Sequence, residues 1–151
     1  MSDLIGDAGE SPGFLLWRVT QRWQRTIVAA LRPLDLTHAQ FVLLMSTYHL
    51  GRGGAAAPSQ REVADHTEAD VMMTSQVLRT LEKRGLVTRS PDPTDARVKR
   101  LAVTPDGAKL ARRAQAAVEK ADRTFFEGTT DQPALLQHLR QLAGWTDPPP
   151  G

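Results

Sequence analysis

Met72, Gln76, Arg79 and Lys83 recur at three- and four-residue steps, so a helix through them presents all four on one face. The chemistry open to that set is recognition of bases and phosphates. A glutamine amide can pair bidentately with adenine and a methionine can cover a thymine methyl. Arg79 and Lys83, further along, suit guanine or phosphate, and a good bidentate pair is worth about 1–3 kcal/mol of discrimination. Met73, Ser75 and Thr80 flank the face. Val71, Thr74, Val77, Leu78 and Leu81 fall on the opposite sector, the side predicted to be buried. Partial burial against a partner helix is the competing reading for Met72 and Met73.

A second cationic group follows. Arg89, Lys99 and Arg100 stand on two short apolar-and-polar runs, Leu86–Ser90 and Val98–Val103, on either side of Pro91-Asp-Pro-Thr-Asp-Ala-Arg97. That turn chemistry between two β-type runs predicts a hairpin. An arginine on a hairpin beside a groove-bound helix can enter the minor groove, where the potential is negative. Asp95 would repel phosphate if left free, so it is read as the ion-pair partner that orients Arg97. The alternative is an ordinary surface salt bridge, worth little. Between Gln76 and Arg113 there are ten Lys or Arg against four Asp or Glu, whereas Met1–Asp35 holds four of each. A basic middle on a chain of net charge +2 is the footprint expected of a phosphate-binding surface, or else a solvated mixed-charge face.

These residues need elements to position them. A first helix over about Pro12–Leu31 is predicted from the stripe Leu15, Leu16, Val19, Trp23, Ile27 and Leu31, and Pro33 ends it. Thr37-His-Ala-Gln40 and Ser59-Gln-Arg-Glu62 are capping boxes that open a second and a short third helix. A tight link, Thr67–Asp70, leads to a fourth helix over about Asp70–Arg84, with Gly85 where a left-handed C-terminal residue belongs. Thr104-Pro105, an N-cap followed by proline, starts a long helix to about Phe126, and a last one covers about Pro133–Ala143. Helix, helix, helix, hairpin is the order of a winged helix-turn-helix, in which the later helix of the pair enters the major groove. The fold class is therefore mainly α with a small β wing. Residues 36–104 are read as the winged domain and 12–35 with 105–145 as a helical dimerisation region. Residues 1–11 are read as a disordered leader and 146–151 as a flexible tail. Phe125, Phe126, Leu135, Leu136, Leu139 and Trp145 are more than one chain can bury with the first helix, and a two-fold partner solves that.

Ser59-Gln-Arg-Glu-Val-Ala, Leu81-Glu-Lys-Arg-Gly-Leu-Val87, Asp95-Ala-Arg97 and Leu101-Ala-Val-Thr-Pro-Asp-Gly107 stand in the order and spacing of the MarR family of regulators, which the chain resembles over about Thr37–Gly107. The resemblance implies a homodimeric, sequence-specific DNA-binding transcriptional regulator, typically a repressor released from a pseudo-palindromic operator by a small aromatic ligand. It assigns recognition to about Asp70–Arg84 and the wing arginine to Arg97. With Ser59, Gln60 and Arg61 at the start of the third helix, the expected DNA contacts are those three, Met72, Met73, Ser75, Gln76, Arg79, Lys83, Arg89, Arg97, Lys99 and Arg100. Trp17, Trp23, Phe41, Met45 and Tyr48 lie on helices that line the ligand pocket of relatives, though core packing explains them equally simply. The expected partners are double-stranded DNA, a second copy and a small-molecule effector.

Other classes find no support. The absence of cysteine removes disulfides, thiolate zinc sites and a cysteine redox switch. No two of the four histidines have zinc-ligand spacing, and no metal or cofactor is expected. There is no phosphate-binding glycine loop, no nucleophile with a base, no secretory signal and no long apolar run, which reads as a cytoplasmic non-enzyme without a membrane partner. The alternative function is a winged-helix protein-interaction module that does not bind DNA.

Overall fold

The computed structural model describes residues 8–52 and 56–147. Six helices and one hairpin follow in the order α1 (Pro12–Leu31), α2 (His38–Leu50), α3 (Gln60–Thr67), α4 (Val71–Lys83), β1 (Val87–Pro91), β2 (Lys99–Val103), α5 (Pro105–Phe126) and α6 (Gln132–Leu142). Of the predicted disordered leader, residues 1–7 lie outside the described part. Residues Ala8–Glu10 form a single 3-10 turn, and Ser11 caps α1 by accepting from the Phe14 N–H, so the leader reading does not hold there.

Local chemistry explains where the elements start and stop. Both capping boxes close: the Thr37 hydroxyl accepts from the Gln40 N–H and the Gln40 amide oxygen accepts from the Thr37 N–H, each at 3.1 Å. Ser59 and Glu62 do the same. Each box satisfies two N–H groups that a bare helix start would leave unpaired. Glu68, left-handed at φ 53°, turns the chain sharply after α3, and Asp70 then caps α4 through the Met73 N–H. Gly85, at φ 73°, ends α4 in the region glycine enters without steric cost.

The wing is an antiparallel pair with Arg89 opposite Leu101 and Pro91 opposite Lys99. It is joined to the third helix by a bridge between Ser59 and Arg100 and by the Leu101 N–H donating to the Pro58 carbonyl. The return to α5 is equally close. Thr104 caps α5 through the Gly107 N–H, its hydroxyl donates to the Gly85 carbonyl at 2.7 Å, and its N–H donates to the Leu86 carbonyl. A Cβ on Gly107 would lie 2.0 Å from the Leu86 carbonyl oxygen. The glycine is there because helix and strand backbone touch.

Two cores lie side by side. Leu43, Leu44, Val63, Leu78, Leu81 and Leu101, all essentially inaccessible, close the winged domain. Ile27, Leu31, Leu36, Ala114 and Val118 close the joint of α1 with α5. Phe41 and Leu110 pack against both, and α5 runs through both, so the domains share a rigid spine. Each fully buried Leu or Ile contributes about 1.5–3 kcal/mol relative to exposure.

One expectation needs correction. Val71 was predicted on the buried side of α4 and is exposed, because it is the first residue of the helix and the core begins at Thr74. The stripe of α1 is buried only at Ile27 and Leu31. Leu15, Leu16 and Val19 are exposed in the protomer, because α5 covers only the later part of α1. No residue of α6 is buried, and the helix touches back through Trp145, set edge-to-face on His66 of α3 with ring centroids 5.6 Å apart.

Candidate nucleic-acid interface

The capped helix starts and the two-core spine leave one face of α4 open. Met72, Gln76, Arg79 and Lys83 are all exposed, Ser75 is half-buried beside them, and Met73 lies at the flank. Thr74, Leu78 and Leu81 hold the opposite face in the winged core. Between α3, the start of α4 and the wing runs a cleft of about 620 Å³, lined by Gln60, Arg61, Val71, Arg97 and Lys99 among others. The start of α4, through Val71, borders this cleft with Arg61 and the wing cations, and Met72, Gln76, Arg79 and Lys83 lie outside its lining.

Arg97 is freely available on the wing, with its side chain 92 % exposed. Its Nε donates to Asp95 Oδ1 at 3.1 Å, its Nη2 to Asp95 Oδ2 at 3.3 Å, and its backbone N–H to Asp95 Oδ1. This fork-to-fork pairing orients the guanidinium while leaving donors free. The hydrogen bonds from the Arg97 side chain and then its N–H also hold the Asp95 carboxyl below its ordinary pKa, so the pair stays charged.

Other expected contacts are already engaged within the protein. Arg100 is three-quarters of the way to burial: Nε donates to Asp92 Oδ1 at 3.0 Å, and Nη1 donates to the Ala57 carbonyl and to Glu62, each at 3.1 Å. It fastens the wing to the loop before α3 and to α3 itself. Asp92 is held well below the usual carboxylate range by the Thr94 hydroxyl, then by Arg100 and the Thr94 and Asp95 N–H groups. Arg89 donates to Gln60 at 3.1 Å and to Glu82 at 3.2 Å, linking β1, α3 and α4. Ser59 is nearly buried and its hydroxyl is occupied by the cap. Arg100, Arg89, Gln60 and Ser59 thus build the frame, whereas Arg61, Lys99 and Arg97 are exposed on its surface.

Arg84, in the Lys-Arg-Gly run, was given no function from the sequence. It donates to the Asp35 carbonyl at 2.7 Å and to Gln40 at 3.2 Å, so the end of the recognition helix is clamped to the start of α2. A left-handed Asp35, at φ 54°, places that carbonyl; no local signal marks it.

The five aromatic and methionine residues expected at a ligand pocket divide between the two cores and the surface of α1. Met45 is in the winged core. Trp17 is 64 % exposed on the early part of α1. Tyr48 lies under the Arg52 guanidinium at the far end of α2. Met45, Tyr48 and Phe41 all pack in the winged core, and Phe41 also reaches Trp23 in the core at the joint of α1 with α5. There Trp23 Nε1 donates to Asp122 at 2.8 Å and the Trp23 ring stands edge-on to His38. Burial lowers the His38 pKa, against a smaller pull upward from Asp122. Beside this joint, Val28, Arg32, Leu36, His38, Gln40 and Arg84 line a groove of about 440 Å³. No cluster of three metal-ligating side chains occurs among the described residues, and no single helix there is long and apolar enough to cross a membrane.

The chain compares closely with known regulators. Residues 36–99 match the model of the MarR family. The HTH-type transcriptional regulator YdcH of Bacillus subtilis (strain 168) is 42 % identical over 132 residues, covering 87 % of this chain and 89 % of the relative. CouR of Rhodococcus jostii RHA1, solved with p-coumaroyl-CoA, is 31 % identical with a TM-score of 0.78 over 93 % of this chain and 96 % of that one. The transcriptional repressor CouR on a 23-mer DNA duplex superposes with a TM-score of 0.81 at 27 % identity, over 92 % and 96 % of the two chains. With the open recognition face, the oriented wing arginine and a relative aligned along nearly its whole length, this chain belongs to the MarR family of winged helix-turn-helix transcriptional regulators.

Proposed function

We propose that the protein is a homodimeric repressor in the cytoplasm that binds a pseudo-palindromic operator and leaves it when a small, aromatic acid-derived ligand binds. No catalytic step enters this reading. The observation that carries it is the open outer face of α4, with Met72, Gln76, Arg79 and Lys83 exposed, next to a cleft at the start of that helix that Arg61 of α3 lines together with Lys99 and the Asp95-held Arg97 of the wing. In this reading α4 occupies the major groove, Met72, Gln76, Arg79 and Lys83 face base edges and phosphates, and Arg97 enters the adjacent minor groove. Arg61 and Lys99 neutralise phosphates. Two copies related by a two-fold place two such faces about one helical turn apart.

CouR has been solved both on DNA and with p-coumaroyl-CoA, which supports assigning both partners to this relative of it. A ligand can shift the equilibrium only if it binds the DNA-free arrangement better than the DNA-bound one. The joint of Trp23, Phe41 and His38, where the two cores meet, is where such a ligand would act on domain spacing.

The test is binding to the intergenic DNA upstream of the gene, titrated against salt, for the wild type and Arg97→Ala. Affinity well above that for random DNA, falling steeply with salt, is expected. Arg97→Ala should weaken it by at least about tenfold and reduce the salt slope by about 2, about 1 for each of the two copies of Arg97 in the dimer. Binding by the wild type no tighter than to random duplexes, both there and after selection from a random pool, would sink the regulator reading.

A further inference from the structure

The recognition helix carries more exposed hydrocarbon at its leading end than its fold requires. Val71 and Met72, the first two residues of α4, are 64 % and 74 % exposed, and the winged core begins only at Thr74. Helix formation does not explain them: valine is a middling helix former, and first-turn positions favour acidic residues and proline. Val71 shares the cleft with the cations Arg61, Arg97 and Lys99 and also with Asp65, Ala64 and Val98, and Met72 shares its helix face with Gln76 and Arg79.

An apolar protein partner would have to bury that rim of cations. The major groove of DNA fits both features at once. Its phosphate edges complement the cations, and its floor presents one hydrocarbon group, the 5-methyl of thymine. Methionine suits such a target because its unbranched, polarizable side chain adapts to irregular surfaces.

We propose that Met72, shouldered by Val71, makes the protein selective for thymine by covering the 5-methyl group at the base pair that the start of the recognition helix meets in each operator half-site. This rests on the DNA-binding reading above. Burial of one methyl group corresponds to about a fourfold gain in affinity. Cytosine and deoxyuridine lack the group, and deoxyuridine differs from thymidine in nothing else.

The experiment uses the full chain and duplexes selected by it from a random pool. In the enriched half-site, each thymine is replaced in turn by deoxyuridine. The same series is measured for Met72→Gln and Val71→Thr, which keep side-chain size and lie outside the core. The wild type should lose about fourfold in affinity at one position per half-site, and more when both half-sites are replaced. Met72→Gln should bring that thymine-to-uracil ratio close to 1 while leaving the melting temperature and the salt slope unchanged. Val71→Thr should reduce the ratio in part. An enriched site that binds equally well with uracil at every position would overturn the proposal and leave DNA binding standing. A ratio that survives both substitutions would overturn the assignment to these residues. A pool that yields no enriched sequence would overturn the DNA-binding reading and the proposal together.

Discussion

Leu101 of β2 and Leu142 of α6 are the same side chain in opposite circumstances. Leu101 is 1 % exposed between the wing and α2, and Leu142 is 81 % exposed on a helix with no buried residue. The winged domain closes its core within one chain and ties its corners with Arg84, Arg89 and Arg100. The arms do not close. The early part of α1 and the outer faces of α6 leave Leu16, Trp17, Leu136 and Leu139 exposed. Exposed apolar area of that extent calls for a covering surface. A winged domain complete in one chain and arms left uncovered fit the proposed symmetric DNA reader, in which the arms would set the spacing of two heads.

Breaking the arms should have the largest effect. Leu136→Asp combined with Leu139→Asp is expected to turn a dimer into a monomer in sedimentation. It should weaken operator binding at least ~100-fold through loss of the second half-site, while far-UV circular dichroism stays helical. A wild type that sediments as a monomer at micromolar concentration would remove the contrast altogether. The closed region can be probed at the point where it is tightest. Gly107→Ala forces a Cβ against the Leu86 carbonyl oxygen and should cost about 1–3 kcal/mol, read as a lower denaturation midpoint at unchanged slope. The smallest effect concerns acid. Because Asp92 has its pKa lowered in the fold, its contribution to stability is present above the ordinary carboxylate value of 3.8. It is lost as pH falls below that value toward the lower one held in the fold. Asp92→Asn should therefore be less stable than the wild type at neutral pH and the difference should shrink in that window. A difference independent of pH would show that the carboxylate charge at the wing is immaterial.

The elements were legible because their signals are local. Thr37 with Gln40, Ser59 with Glu62, Thr104 with Pro105, and Gly85 each act over a few residues, and each marks an end that the structure has within a residue or two. The outer face of α4 followed from periodicity alone at Met72, Gln76, Arg79 and Lys83. Val71 did not, because periodicity assigns an angle around the helix axis and is silent about where along the axis the core ends. Among the expected pocket residues, Met45, Tyr48 and Phe41 share the winged core and Phe41 also meets Trp23 at the joint, whereas Trp17 is exposed on α1.

By itself, the sequence determined the order of helices and wing, the identity of the recognition face and the motif set that marks the family, since caps, turns and helical periods depend on neighbours in the chain. Tertiary structure alone decided which cations remain available. Arg100 meets Glu62 and the Ala57 carbonyl across 38 and 43 residues, and Arg89 meets Gln60 across 29, so these arginines fasten the wing while Arg97, paired two residues away, stays exposed. An arginine looks alike in sequence whether its donors are occupied or free. The difference lies in acceptors brought close by the packing of α3, α4 and the wing.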